Sequence, residues 1–202
     1  MADVQPLRAL HYDPRAVGSL DVVAAPPYDV VDEHARAELV ALIAAVAPQA
    51  AAASCANRNA DPGTASIRTL QTATLCLLNE QRHANGLRSL REDSRLDRAS
   101  IDYARVMASR NIFEHGDFVG RIRASSYLSG ASSWYVGENI AWGTGSYGTP
   151  AGIVKLWMNS PPHRHNILSS HFRDIGLGVA RGAPRAGVSG GGTYVTDFGA
   201  RG

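Results

Sequence analysis

No stretch of this 202-residue chain is apolar for long enough to cross a bilayer. Residues 39–53, LVALIAAVAPQAAAA, come nearest and are too short and too rich in alanine. Excess charge is also scarce: 20 Lys and Arg face 18 Asp and Glu, a net +2 with His neutral. The basic residues are nearly all arginine and are scattered along the chain, so the one-sided basic surface that phosphate binding needs is missing and nucleic acid drops out as a partner. No GxGxxG opens a helix; the glycines of ARGAPRAGVSGGG, residues 180–192, read as a hairpin loop instead. Internal repeats are lacking, and no serine or cysteine sits in a strand-to-helix elbow as a nucleophile would. What remains is ordinary: 45% apolar and 19% charged residues, the composition of one globular domain.

The chain divides unevenly. Residues 39–54 read as the apolar core and cleavage zone of a secretory signal, with a mature start expected near Ser54. Thirty-eight residues precede it, acidic where a signal would be basic, and too few to bury a core alone. They are expected to be a fragment without a fold of its own. The two cysteines, Cys55 and Cys76, are an even count in an exported chain, for which one disulfide is the economical reading. The alternative is a lipid on Cys55, since AASC loosely resembles a lipoprotein box.

From Asp61 on, helices and strands mix. Asp61 and Pro62 predict the start of a helix carrying Ile67, Leu70, Leu77 and Leu78 and closed by Asn85 and Gly86. A second, capped by Asp93 or Ser94, buries Leu96, Ala99, Tyr103, Ala104 and Met107. Thr149 and Pro150 open a third, with Ile153, Val154 and Trp157 inward. YVGENIAW, DIGLGVA and TYVTDFG alternate as strands.

Three polar residues stand out. Glu138 lies in an apolar strand, where an acid is costly to bury without a partner. His163 follows Pro161 and Pro162, which fix the backbone on its approach. His115 follows an apolar helix end, where a cap or packed ring is the commoner role. Arg164, His165 and His171 read as surface, and Asn166 as a side chain that ties a turn.

Two resemblances join these pieces. The leading residues, with APPYDV at 25–30, resemble the opening of a large bacterial domain family of uncharacterised function. NEQRHANGL at 79–87, FEH at 113–115, GENIAWG at 137–143, LWMNSPPHRHNIL at 156–168, FRDIGLGVA at 172–180 and YVTDFG at 194–199 together resemble a bacterial CAP domain. That superfamily covers the cysteine-rich secretory, antigen-five and pathogenesis-related proteins, and the likeness extends over about residues 64–200.

The resemblance implies an α+β fold, a three-layer α/β/α sandwich with a central antiparallel sheet, spanning 55–202 behind a poorly ordered N-terminal segment. It also implies a cleft where His115, Glu138 and His163 converge, with Ser160 where many eukaryotic members carry a second glutamate. The segment after His115, GDFVGRIR, is shorter than the loop usual there. His115 and His163 would hold a divalent ion such as zinc weakly, with Glu138 as the candidate base. Two functions follow. One is a secreted or envelope-located monomer that binds a hydrophobic or envelope-derived small ligand, with Trp134, Tyr135, Trp142, Tyr147 and Trp157 as candidate aromatic walls. The other is a metal-assisted hydrolase of peptide or cell-wall bonds. A site with two imidazoles, one acid and a serine is thinly equipped for catalysis, so binding is favoured.

Overall fold

Local capping decides where the helices begin. In the computed structural model, which describes residues 2–5, 10–12 and 55–202, helix α1 runs Ile67–Ala84. It starts six residues later than Asp61 suggested, because the Ser66 hydroxyl accepts the Thr69 amide at 3.0 Å while Asp61 and Pro62 form a turn ahead of it. Asn85 and Gly86, the latter at φ 70°, end it as expected. Helix α2, Ser94–Arg110, is capped by Asp93 and buries the expected Leu96, Ala99, Tyr103, Ala104 and Met107. Asp117 caps a short helix, α3, Phe118–Ala124, within the segment after His115 that is shorter than the loop usual there. Thr149 caps α4, Pro150–Met158, and the proline pair occupies the first two positions of α5, Pro161–Leu168.

Four strands form the body of the sheet: β3 (Arg91–Glu92), β4 (Trp134–Gly143), β5 (Asp174–Arg181) and β6 (Gly192–Arg201). Their order is β4-β6-β5-β3, and two short strands, β1 (Ala2–Gln5) and β2 (Leu10–Tyr12), pair with β4. All described pairings are antiparallel except the two-residue β3 against β5. The rest of the first 54 residues, including the signal-like segment and the expected processing point, lies outside the described residues.

Helices cover both faces, which makes three layers. Ile175, Leu177, Val179, Tyr194 and Phe198 pack with α1, α4 and α5 on one side. Val136, Ile140 and Val195 meet α2 and α3 on the other. The glycines of DIGLGVA explain how closely α2 sits on the sheet: a Cβ at Gly176 or Gly178 would run into the α2 backbone at Leu96 or Ser100. Cys55 and Cys76 form the disulfide, with Cα atoms 5.7 Å apart, tying the start of the domain to α1. The thiol that the lipid alternative needs on Cys55 is therefore engaged.

Candidate functional site

Strand alternation sorts the polar residues of β4. Gly137, Asn139 and Ala141 face α4 and α5, whereas Val136, Glu138 and Ile140 face α2 and α3. Glu138 is fully buried there. His115 reaches it from the turn after α2, which is held back along the helix by the Tyr103 hydroxyl donating to the Glu114 carbonyl at 2.6 Å. Gly116 then turns the chain at φ 52°, a left-handed conformation in which a side chain would be strained and would crowd the Tyr103 hydroxyl.

His115 Nδ1–H donates to Glu138 Oε1 at 2.8 Å, and Arg121 Nη2 donates to Oε2 at 2.5 Å. The Arg121 guanidinium lies 3.4 Å over the Tyr103 ring, which adds a cation–π contact and fixes its aim. Both carboxylate oxygens of Glu138 thus have charge-assisted or ring partners, the arrangement a buried acid requires.

A second acid shares this pocket of the core. Asp197 of β6 is the register partner of Glu138, so the two side chains stand side by side on one face of the sheet. Asp197 is also fully buried, and its Oδ2 accepts the Ser100 hydroxyl of α2 at 2.8 Å. Burial, and then the neighbouring Glu138 charge, push the Asp197 carboxyl well above the ordinary carboxylate range. Burial also raises Glu138, to about 7, against the pull of Arg121. Arg121 and His115 bond to Glu138 whereas the Ser100 hydroxyl bonds to Asp197, so a proton held by the pair favours Asp197.

His163 is reached from the other face. It is fully buried in the first turn of α5, where its Nδ1 meets the Ser160 hydroxyl at 2.7 Å. Its carbonyl accepts Asn139 Nδ2 at 3.1 Å, and Asn166, one turn on, donates to the Glu138 carbonyl at 3.2 Å and to Asn139 Oδ1 at 2.9 Å. The expected residues therefore meet as two pairs, His115 with Glu138 and Ser160 with His163, joined through the backbone and amides of β4.

With Nδ1 of both histidines engaged, a metal would be taken through Nε2. A carboxylate behind His115 and a hydroxyl behind His163 are the outer partners that orient ligating imidazoles, but the two rings belong to separate pairs on the two faces of β4. The ligand atoms of His115, Glu138 and His163 do not all lie within 4.8 Å of one another. Among the described residues the one potential ligand group of three that does is Cys55, Cys76 and Glu80, whose sulfurs form the disulfide.

Arg121 and Asp197 escaped the reading of the sequence. Asp197 could have been found by the argument that picked out Glu138, an acid amid apolar strand residues; Arg121 could not, because it depends on α3. Of the aromatic candidates, Trp142 and Trp157 are buried packing and Tyr147 is exposed. Trp134 and Tyr135 border a groove at the end of the sheet.

The profile of the cysteine-rich secretory protein family matches residues 75–196. The uncharacterized protein YkwD of Bacillus subtilis (strain 168) is 34% identical over 114 residues, which is 56% of this chain and 43% of YkwD, so the chain spans less than half of that relative. Among solved structures, an extracellular protein containing a SCP domain from Bacillus anthracis str. Ames superposes with a TM-score of 0.52 at 22% identity, over 66% of this chain and 43% of that one. An outer surface protein from Borrelia burgdorferi gives 0.56 at 20% identity, over 68% of this chain and 97% of its own. At these identities the two structures speak for a shared fold.

Proposed function

Because the chain belongs to the cysteine-rich secretory protein family, we propose that it works outside the cytoplasm as a binding domain for a small hydrophobic or envelope-derived ligand. The cleft mouth would lie at the part-exposed His115 and Ser160, with the buried Glu138 and His163 behind them on the two faces of β4. The observation that carries the preference for binding over hydrolysis is the state of Glu138, whose two oxygens are held at 2.8 Å by His115 and at 2.5 Å by Arg121. A general base must come within about 2.6–3.2 Å of the proton it removes. Glu138 would first have to give up a buried bond to a charged or ring donor, each worth about 1.5–3 kcal/mol.

Export is supported by the Cys55 to Cys76 disulfide, a bond that persists in oxidising compartments, and by the extracellular and outer-surface relatives. No described helix is long and apolar enough to cross a membrane.

The test is ligand capture. Full-length protein is incubated with a total envelope lipid extract or with solubilised cell-wall fragments, passed through a desalting column and weighed by native mass spectrometry. One class should be retained at about one molecule per chain, and Ser160→Phe, which fills the cleft mouth, should cut retention at least tenfold in a protein that still melts cooperatively. Retention of nothing, or equal retention by the variant, would defeat the proposal.

A further inference from the structure

The disulfide at the start of the domain has a third chemical group beside it. Cys55, Cys76 and Glu80 each bring a ligand atom, and the two sulfurs and one carboxylate oxygen all lie within 4.8 Å of one another. Cys76 and Glu80 stand four residues apart on α1, the spacing that puts two side chains on one helical face. The Cys55 amide donates to Glu80 Oε1 at 3.2 Å, which ties the carboxylate to the far side of the bridge. Cys55 is buried, whereas Cys76 and Glu80 are half-buried, so the group meets solvent along α1.

Glu80 is an acid without a cation. Among the described residues no arginine, lysine or histidine forms an ion pair with it, and the apolar core packs against both cysteines. A half-buried carboxylate is stabilised by a positive charge beside it. Opening the disulfide would place two thiols at the same point, and thiolates and carboxylates are both zinc ligands. The Cα atoms of Cys55 and Cys76 are 5.7 Å apart, which brings the two sulfurs within reach of one ion. Two thiolates on a tetrahedral zinc, with bonds of about 2.3 Å, stand roughly 3.8 Å from each other, a parting that side-chain rotation supplies.

We propose that Cys55, Cys76 and Glu80 form a redox-gated site for one thiophilic divalent ion such as zinc, available when the cysteines are reduced and closed when they are joined. Three ligands from the chain leave the fourth tetrahedral position to water. The gating reaction is exchange with an external dithiol. One of its thiolates attacks a sulfur of the bridge, and its second thiol resolves the mixed disulfide. The dithiol leaves as a disulfide, and two electrons and two protons pass to Cys55 and Cys76. Binding of the ion then releases those two protons as the thiolates coordinate. An oxidising disulfide reverses the sequence: it takes the two electrons, the bridge reforms and the ion is expelled. Reducing surroundings therefore favour the ion and oxidising ones the bridge. The site shares no residue with the His115 and Glu138 pair or with the Ser160 and His163 pair.

Cobalt(II) titration of the full-length chain tests this, after reduction with a phosphine and anaerobic desalting. The reduced protein should take up one ion per chain with a near-ultraviolet thiolate-to-cobalt charge-transfer band, which histidine and carboxylate ligands do not give, and zinc should displace it. The oxidised protein should show no such band. Glu80→Gln should weaken uptake by the reduced chain at least tenfold. The reduced wild type unfolded in urea should also bind at least tenfold more weakly, because the fold is what gathers the three ligands. A rate on the wild type gives a reading that does not depend on the variant folding: zinc should slow reclosure of the bridge by an added disulfide oxidant at least tenfold. No band in the reduced chain, the same band in the oxidised chain, unchanged affinity in Glu80→Gln, equal binding in urea, or reclosure at one rate with and without zinc would each overturn the assignment. Because ligand capture at the Ser160 cleft is measured with other ligands and another variant, the two proposals fail separately.

Discussion

Replacing Asp197 with Asn should make the protein more stable, and by a larger margin at pH 7 than at pH 5. The expectation follows from two fully buried carboxyls on paired strand positions, with cationic or ring partners on Glu138 alone. Burial holds the Asp197 carboxyl well above its ordinary range, whereas an unfolded aspartate titrates near 3.9. Between those limits the folded protein carries a proton that the unfolded chain has released, so stability falls as pH rises. One retained proton gives about 1.4 kcal/mol per pH unit, hence roughly 2–3 kcal/mol between pH 5 and pH 7. Asparagine is neutral at every pH, can accept from Ser100 and can donate towards Glu138, so it mimics the protonated acid. Urea unfolding of wild type and variant at pH 5, 6 and 7 checks this, and the difference between the two curves cancels groups that titrate alike in both. The curves should lie closer at pH 5 and draw apart by roughly a further 2 kcal/mol by pH 7, meeting only below about pH 4. Parallel curves would mean that the pair carries no extra proton and that the charge assignment in the site is mistaken.

Three other outcomes follow from the packing. Cys76→Ser, or reduction of the intact protein, should lower stability by about 3 kcal/mol, the chain-entropy value for a loop of this length, in a denaturation midpoint measured with and without reductant. Gly178→Ala should cost about 1–3 kcal/mol or prevent folding, because the added methyl meets the Ser100 carbonyl of α2; a thermal melt within a degree of wild type would show that α2 can shift aside. Asn166→Ala removes two buried hydrogen bonds to β4 and should cost about 1–3 kcal/mol by urea unfolding, with Asn139 left to find another partner.

Much of the fold was legible because it rests on local chemistry. Asp93 and Thr149 cap the helices they precede, and the alternation in YVGENIAW, DIGLGVA and TYVTDFG survives as three paired strands. The start of α1 was misjudged because two places in that stretch, Asp61–Pro62 and Ser66, offer a helix start, and only the second makes the capping bond. The site was half legible. A lone acid in a strand pointed to Glu138, and family resemblance pointed to His115 and His163. What could not be read was which face each residue would occupy. Glu138 and Asn139 are neighbours in the chain yet look to opposite layers, so the cluster around Glu138 draws on α2, α3 and β6, while His163 is tied to Asn139. Arg121 depends on a seven-residue helix whose only sequence signal is Asp117, and a single capping residue is weak notice of a helix.

The account stands or falls on whether Glu138 is a structural carboxylate or a working base. The direct measurement is product analysis by mass spectrometry after prolonged incubation of the full-length protein with solubilised cell-wall fragments and with peptides, with and without added zinc, for the wild type and for Glu138→Gln. The account predicts that the fragments are recovered intact from every mixture. Cleavage by the wild type that disappears in Glu138→Gln would contradict it, since a carboxylate held on both oxygens by His115 and Arg121 would then be doing chemistry.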